Sequence, residues 1–329
     1  MNSGSPPLLS VVVPVYTEEA VLAEFHKRLT AVLDGIDGIC EVLYVNDGSR
    51  DNTGRLLNQM YRDDPRVAVV HLSRNFGKEI AMTAGLDHAQ GEALVMIDSD
   101  LQDPPELIPE LMGRWREGFD VVYATRSSRA GETFLKKFTS RQFYWLINLI
   151  SGIQIPPNTG DFRLLSRRAV NALRQLREQH RFMKGLFSWI GYSQTFVPYH
   201  RDPRFAGASK FNYWKLWNFA IEGLTSFTTG PLKIASYLGL VSAAAALIYG
   251  SWIFYKTLRF GDPVAGYPSL MVVVLFLGGI QLATLGIIGE YLARVFNETK
   301  HRPLYFVETY QAARLGTPHS TTILEAPRG

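Results

Sequence analysis

Residues 93–105 read ALVMIDSDLQDPP. An unbroken apolar run passes straight into a cluster of acids, and two prolines close it. Such a run has the length and composition of a strand buried on both faces. Asp98 and Asp100 follow it, two residues apart. Carboxylates so placed can present oxygens to one hard cation, Mg2+ or Mn2+, whose shell is completed by substrate phosphates. A bare Asp-x-Asp is common, however, and a solvated loop with Asp103 capping the helix that Pro104 and Pro105 introduce explains the same letters. Asp103 is read as that cap.

Outward from this stretch the pattern repeats. Residues 10–15 (SVVVPV), 41–46, 67–72 and 120–124 are predicted strands, and residues 18–33, 52–62, 78–89 and 105–117 are predicted helices. The alternation argues an α/β fold, a Rossmann-like, mainly parallel, doubly wound sheet with ligands beyond the carboxyl ends of its strands. Polar clusters fall at those ends: Tyr16-Thr17-Glu18-Glu19, Asp47-Gly48-Ser49 and Asp98-Ser99-Asp100. They point to a nucleotide site without saying which nucleotide.

The last third differs. Residues 234–255 carry no charge, and residues 270–288 are almost wholly apolar. Each reaches the ~20 residues a membrane-spanning helix needs. Tyr249, Trp252, Tyr255 and Tyr267 stand near the ends, as interfacial aromatics do. Gly239, Gly278, Gly279 and Gly286 would allow close helix packing. Two buried core helices are the competing reading. A short linker makes the pair a hairpin, so its two ends lie on one side of a membrane. The expected layout is a cytosolic catalytic domain over residues 1–211 and an interfacial amphipathic helix over 212–230. Two transmembrane helices (about 234–255 and 268–290) occupy residues 231–292, and a cytosolic tail follows over 293–329, disordered beyond about Ala312. Trp214, Trp217, Ile221 and Leu224 give the interfacial helix its apolar stripe. Residues 134–150 mix Lys136, Lys137 and Arg141 with aromatics and could also rest on anionic lipid.

Composition narrows the classes. With 34 basic and 30 acidic residues in 329 and a net charge of +4, nothing marks a nucleic-acid binder. The single cysteine, Cys40, excludes an internal disulfide and a cysteine-based zinc site. The N-terminus shows no basic stretch ahead of an apolar run, so no cleaved signal is expected and the domain is placed in the cytosol. There is no Walker phosphate loop, no histidine pair at zinc-ligand spacing and no nucleophile elbow.

Six segments then occur in order: VVVPVYTEE (11–19), VNDGSRDNT (45–53), LSRNFGKE (72–79), IDSDLQDPPE (97–106), GDFRLLSRR (160–168) and RFAGASK (204–210). Together they resemble the family 2 inverting glycosyltransferases of GT-A fold. More narrowly they resemble the polyprenyl-phosphate glycosyltransferases, the group of dolichol-phosphate mannose synthase. The closing stretch, residues 267–303, is most similar to the bactoprenol glucosyltransferases of O-antigen modification. The likeness spans roughly residues 9–307. Its one small departure is Thr17, where the family commonly has Asn; little consequence is expected.

The resemblance implies transfer of a hexose from a UDP-sugar to undecaprenyl or another polyprenyl phosphate, at the cytosolic face of a bacterial inner membrane. UDP-glucose is the first choice of donor. UDP-N-acetylglucosamine, UDP-galactose, UDP-aminoarabinose and GDP-mannose are alternatives. It also implies a homo-oligomer, a tetramer by analogy. By motif position, Pro14, Tyr16 and Glu18 border the base and ribose. Asp47 accepts from the uracil imide, although a turn-forming Asp reads equally well there. Asp98 holds the nucleotide side and, with Asp100 and Gln102, the metal, which stabilises UDP as it leaves. Arg126, Lys136, Ser140, Arg204 and Lys210 meet the donor and acceptor phosphates, where cations are needed to bring two anions together. Asp161 matches the proposed catalytic base. A lipid phosphate is already mostly an oxyanion at neutral pH, so Asp161 could instead steer the acceptor or bind a sugar hydroxyl. A processive polysaccharide synthase and a non-catalytic membrane component fit less well. The first usually has more spans, and the second has no use for the intact acidic cluster.

Overall fold

The structure is a computed structural model and describes residues 6–126, 159–199, 230–260 and 266–315. Four parallel strands form its centre: β1 (Leu9–Val15), β2 (Cys40–Asn46), β3 (Val67–Leu72) and β4 (Ala93–Met96). They are buried almost throughout, which is why they read as continuous apolar runs rather than alternating ones. Alternate residues still serve opposite faces. Val11, Val13 and Val15 enter one core with Phe25 and Leu29 of α1 (Leu22–Leu33), Leu57 of α2 (Thr53–Asp63) and Leu111 of α4 (Ile108–Arg116). Val12 enters the other with Ala81, Met82 and Ala84 of α3 (Lys78–His88). Each fully buried Val or Leu side chain contributes roughly 1.5–3 kcal/mol. Gly85 lets α3 lie directly on β1, since a Cβ there would stand 2.2 Å from Val12 Cγ1.

The sheet is wider than the sequence suggests. Its order is β7-β5-β6-β4-β1-β2-β3-β8, with β5 (Val121–Arg126), β6 (Thr159–Ser166), β7 (Gln194–Tyr199) and β8 (Val307–Gln311). β6 is antiparallel to both β4 and β5, and β8 is antiparallel to β3. Helices α5 (Arg167–Gln175) and α6 (Met183–Trp189) lie between β6 and β7, and α5 begins with a side-chain cap from Ser166 to the Ala169 N–H.

Two long helices follow, α7 (Gly230–Phe260) and α8 (Tyr267–Thr299), packed against each other. Both are long and apolar enough to cross a membrane, and almost none of their apolar windows is buried within the molecule. At ~1.5 Å per residue the 33 residues of α8 run ~50 Å. That exceeds the ~30 Å of a hydrocarbon core, and both helices are longer than the predicted spans. The far end of α8 docks on the sheet domain. Glu298 Oε1 accepts the Gln179 N–H at 2.7 Å, and Asn297 Nδ2 meets His180 Nε2 at 3.0 Å. The chain then returns to the sheet as β8, so part of the predicted tail is ordered as an edge strand.

Candidate active site

β4 and β6 pair in a register that sets Met96 against Arg163. Asp98 lies two residues beyond the end of β4, and Asp161 lies within β6. Both carboxylates converge on the ammonium of Lys78. Its Nζ lies 2.6 Å from Asp98 Oδ1, 2.7 Å from Asp98 Oδ2 and 2.5 Å from Asp161 Oδ2. Lys78 opens α3, where a positive charge opposes the helix dipole. The position is unfavourable unless anions meet it, and here two do. The sequence reading gave Lys78 no role, although a lysine at a helix start directly after a glycine was a usable signal.

Asp47 fixes the loop that delivers Lys78. Its carboxylate accepts the Phe76 N–H at 2.7 Å and the Gly77 N–H at 2.9 Å. Its own N–H donates to the Val15 carbonyl at 2.9 Å. Gly48 next to it has φ 65, and a Cβ there would meet the Arg74 backbone at 2.4 Å, so only glycine fits. Burial raises the Asp47 carboxyl, against the two backbone donors that lower it. The residue expected to read a uracil thus has a fastening duty that sequence reasoning missed.

Electrostatics separates the two facing acids. Burial raises Asp98, and the Asp161 carboxylate adds to that against the pull of Lys78. Asp161 goes the other way: burial opposes ionisation, but Lys78, then Lys184, outweigh it and hold the carboxyl well below its usual range. Its Oδ1 is buried and takes no hydrogen bond among the described residues. Glu79 accepts the Met183 N–H at 2.9 Å. Burial first, then the Asp161 charge, push it up to about 7. Behind them Arg163 donates to the Gly160 carbonyl at 2.8 Å and lies 3.8 Å over the Phe187 ring.

The acidic loop is tightly wound. Asp100 Oδ1 accepts the Gln102 N–H at 3.1 Å. Leu101 between them sits at φ 59 with its side chain 3% exposed. A left-handed Leu costs roughly 1–2 kcal/mol, and burial in the core holds it there, the kind of local strain that clusters at functional sites. The residue at the N-cap of the turn Pro105–Leu107 is Pro104 rather than the Asp103 the sequence suggested. The buried Asp103 carboxylate instead accepts the Tyr199 hydroxyl, tying this loop to β7.

The loop after β1 lies at the same end of the sheet. Pro14 pairs with Val45, and Tyr16 is exposed. The Thr17 N–H donates to Ser49 Oγ at 3.0 Å and the Glu18 N–H to Thr53 Oγ1 at 3.0 Å. Thr17 has φ 57, a conformation that Asn tolerates and a β-branched residue resists. Thr17 therefore carries backbone strain that an Asn at this position would carry less of. Arg126 ends β5 in register with Tyr199. Lys136, Ser140, Arg204 and Lys210, and the amphipathic segments 134–150 and 213–227, lie outside the described residues.

Asp98, Asp100 and Gln102 offer only oxygen donors from one loop, which suits a hard divalent cation. Among the described residues no group of three or more His, Cys, Asp or Glu side chains could hold a metal alone. Such a cation would need further ligands from phosphate or water.

A mainly parallel sheet with its acids gathered at the carboxyl ends, followed by an apolar hairpin, defines a GT-A-type domain with a C-terminal attachment. The chain belongs to glycosyl transferase family 2, whose model matches residues 10–174; a second model, described as the GtrB C-terminal hairpin, matches residues 230–295. It is 56% identical over 299 residues to a protein of Synechocystis described as an uncharacterized glycosyltransferase, covering 91% of this chain and 94% of that one. It is 48% identical over 300 residues to the bactoprenol glucosyl transferase of Shigella phage SfV, covering 91% and 98%. Among solved structures, glucosyl-3-phosphoglycerate synthase from Mycobacterium tuberculosis, in complex with Mn2+, UDP and phosphoglyceric acid, aligns with TM-score 0.48 and 20% identity over 67% of this chain and 76% of that chain.

Proposed function

We propose that this protein transfers glucose from UDP-glucose to a polyprenyl phosphate, with inversion, at the cytosolic face of a bacterial inner membrane. The observation that carries the reading is the combination in one chain of the Asp98–Asp161 pair with an apolar hairpin that returns to the sheet. The relative from Shigella phage SfV, named as a bactoprenol glucosyl transferase and alike over nearly its whole length, supports the sugar and the lipid.

In this reading the lipid phosphate oxygen attacks the anomeric carbon as the bond to the UDP oxygen breaks, and UDP leaves with both bonding electrons. Pro14, Tyr16, Glu18 and Asp47 line the nucleoside side. Asp98, Asp100 and Gln102 would hold a Mg2+ or Mn2+ ion, which would supply Lewis-acid stabilisation to the leaving diphosphate. Arg126, Lys136, Ser140, Arg204 and Lys210 gather the phosphates. Asp161 acts as a fixed negative charge that orients the acceptor end of the site. Held ionised by Lys78, it is a weak base, and a phosphate oxyanion needs no base.

The test is turnover in detergent with undecaprenyl phosphate, Mg2+ or Mn2+, and a panel of UDP- and GDP-sugars, beside Asp100→Ala. Lipid-linked glucose that disappears on chelation and falls at least about 100-fold in the variant supports the reading, a loss on the scale of removing key transition-state stabilisation. Product from a different sugar moves the donor and keeps the class. No binding of UDP or GDP would remove the transferase reading.

A further inference from the structure

We propose that Lys78 is a built-in counter-ion that occupies Asp98 until a divalent cation takes it, so that cation arrival and withdrawal of the ammonium from Asp98 are one exchange. The inference rests on the assignment of Asp98 to the cation.

Both oxygens of Asp98 face the same ammonium, at 2.6 and 2.7 Å. A divalent cation must therefore compete with that ammonium for the lone pairs of the carboxylate. Without Lys78, two carboxylates that now share one ammonium would face each other with no cation between them, a destabilising arrangement. The other charges nearby do not replace it. Asp103 and Glu79 add negative charge, while Lys184 and Arg163 act on Asp161 rather than on Asp98. The lysine therefore keeps the acidic end assembled when no metal is bound.

The ammonium has a second anchor. Asp161 holds it at 2.5 Å and has no part in the proposed cation site. After losing Asp98, Lys78 would stay tethered to Asp161 with one face freed for an anion such as a donor phosphate. Cation and nucleotide should then favour each other beyond their direct contact, since each stabilises the arrangement in which Lys78 has left Asp98. Lys78 is thus a positioning residue, distinct from the groups that hold the cation.

The experiment measures Mn2+ binding calorimetrically on the full chain in detergent without nucleotide, for wild type, Lys78→Met and Asp100→Ala, with thermal melting in chelator and in Mn2+. Lys78→Met is expected to bind Mn2+ at least about fivefold more tightly than wild type, because a charge that competes for Asp98 is gone. It should melt lower in chelator and recover more on adding Mn2+, and UDP should tighten its Mn2+ binding by a smaller factor than in wild type. Equal or weaker Mn2+ binding by Lys78→Met overturns the proposal. If that variant does not fold, acylation of wild-type lysines followed by mass spectrometry decides. Lys78 should be modified faster once Mn2+ is added, and an unchanged rate overturns the exchange. Loss of Mn2+ binding in Asp100→Ala keeps the cation site whatever Lys78 does. Wild-type binding in Asp100→Ala sinks that site and the exchange with it.

Discussion

Thr17 and Glu79 show how single residues at this sheet end depart from what their types prefer. Thr17 is a β-branched residue at φ 57. Replacing it by Asn should relieve about 0.5–1 kcal/mol of backbone strain, seen as a rise in melting temperature. A lower melting temperature for Thr17→Asn would mean that the threonine side chain contributes more than its strain costs. Glu79 bears on pH. Its carboxyl is raised from 4.5 to about 7 in the folded protein, so the native state holds that proton more tightly than the unfolded chain does. Stability from this group is present below about pH 4.5 and falls as pH rises to about 7, by roughly 3 kcal/mol in all. Glu79→Gln keeps a neutral acceptor for the Met183 N–H and removes the titration. Melting curves between pH 5 and 8 should therefore be flatter for the variant, and parallel curves would count against the raised carboxyl.

At the scale of elements, the join between α8 and the sheet domain runs through Asp87. This carboxylate receives Arg177 at 2.7 and 2.9 Å and the Tyr305 hydroxyl at 2.8 Å. Two further ties flank it, Glu298 with the Gln179 N–H and the Arg314 guanidinium with the Tyr61 and Arg62 carbonyls. Asp87→Ala takes the ion pair from an exposed Arg177 and the acceptor from the part-buried Tyr305 hydroxyl, at a cost of about 1 kcal/mol. Limited proteolysis should then cut first between α8 and β8; an unchanged pattern would show that the other ties suffice. The elements also divide by how legible they are. β1 to β4 were readable because burial on both faces forces continuous Val, Leu and Ile runs. β6 was not, because Asp161 and Arg163 interrupt its apolar residues and its place beside β4 is set by long-range register. β8 (VETYQ) is short and polar, as befits an edge strand, and nothing local announces its partner. The same division runs through the site: the acids after β2 and β4 stood out as strand-end clusters, while Lys78 meets Asp161 only through the β4–β6 pairing.

For the whole molecule, strands on both sides of the hairpin in sequence belong to one sheet. If α7 and α8 each cross a membrane, the segments before α7 and after α8 share a side, and the turn between the helices lies on the other. In a Cys40→Ser background, Arg259→Cys and Glu308→Cys should react with an impermeant thiol reagent from opposite faces of sealed vesicles. Labelling of both from one face would rule out a double crossing. The sequence already read the hairpin from its apolar lengths, but it could not show that the sheet itself closes around both ends.

That closure also sets an order in time. During synthesis β1 to β7 emerge before the hairpin, while β8 leaves the ribosome only after it. Until then β3 is an open edge, the kind of surface on which nascent chains pair wrongly. The domain therefore reaches its final form only once the hairpin has been made and its distal segment returned, which makes β8 a seal applied after the hairpin is complete.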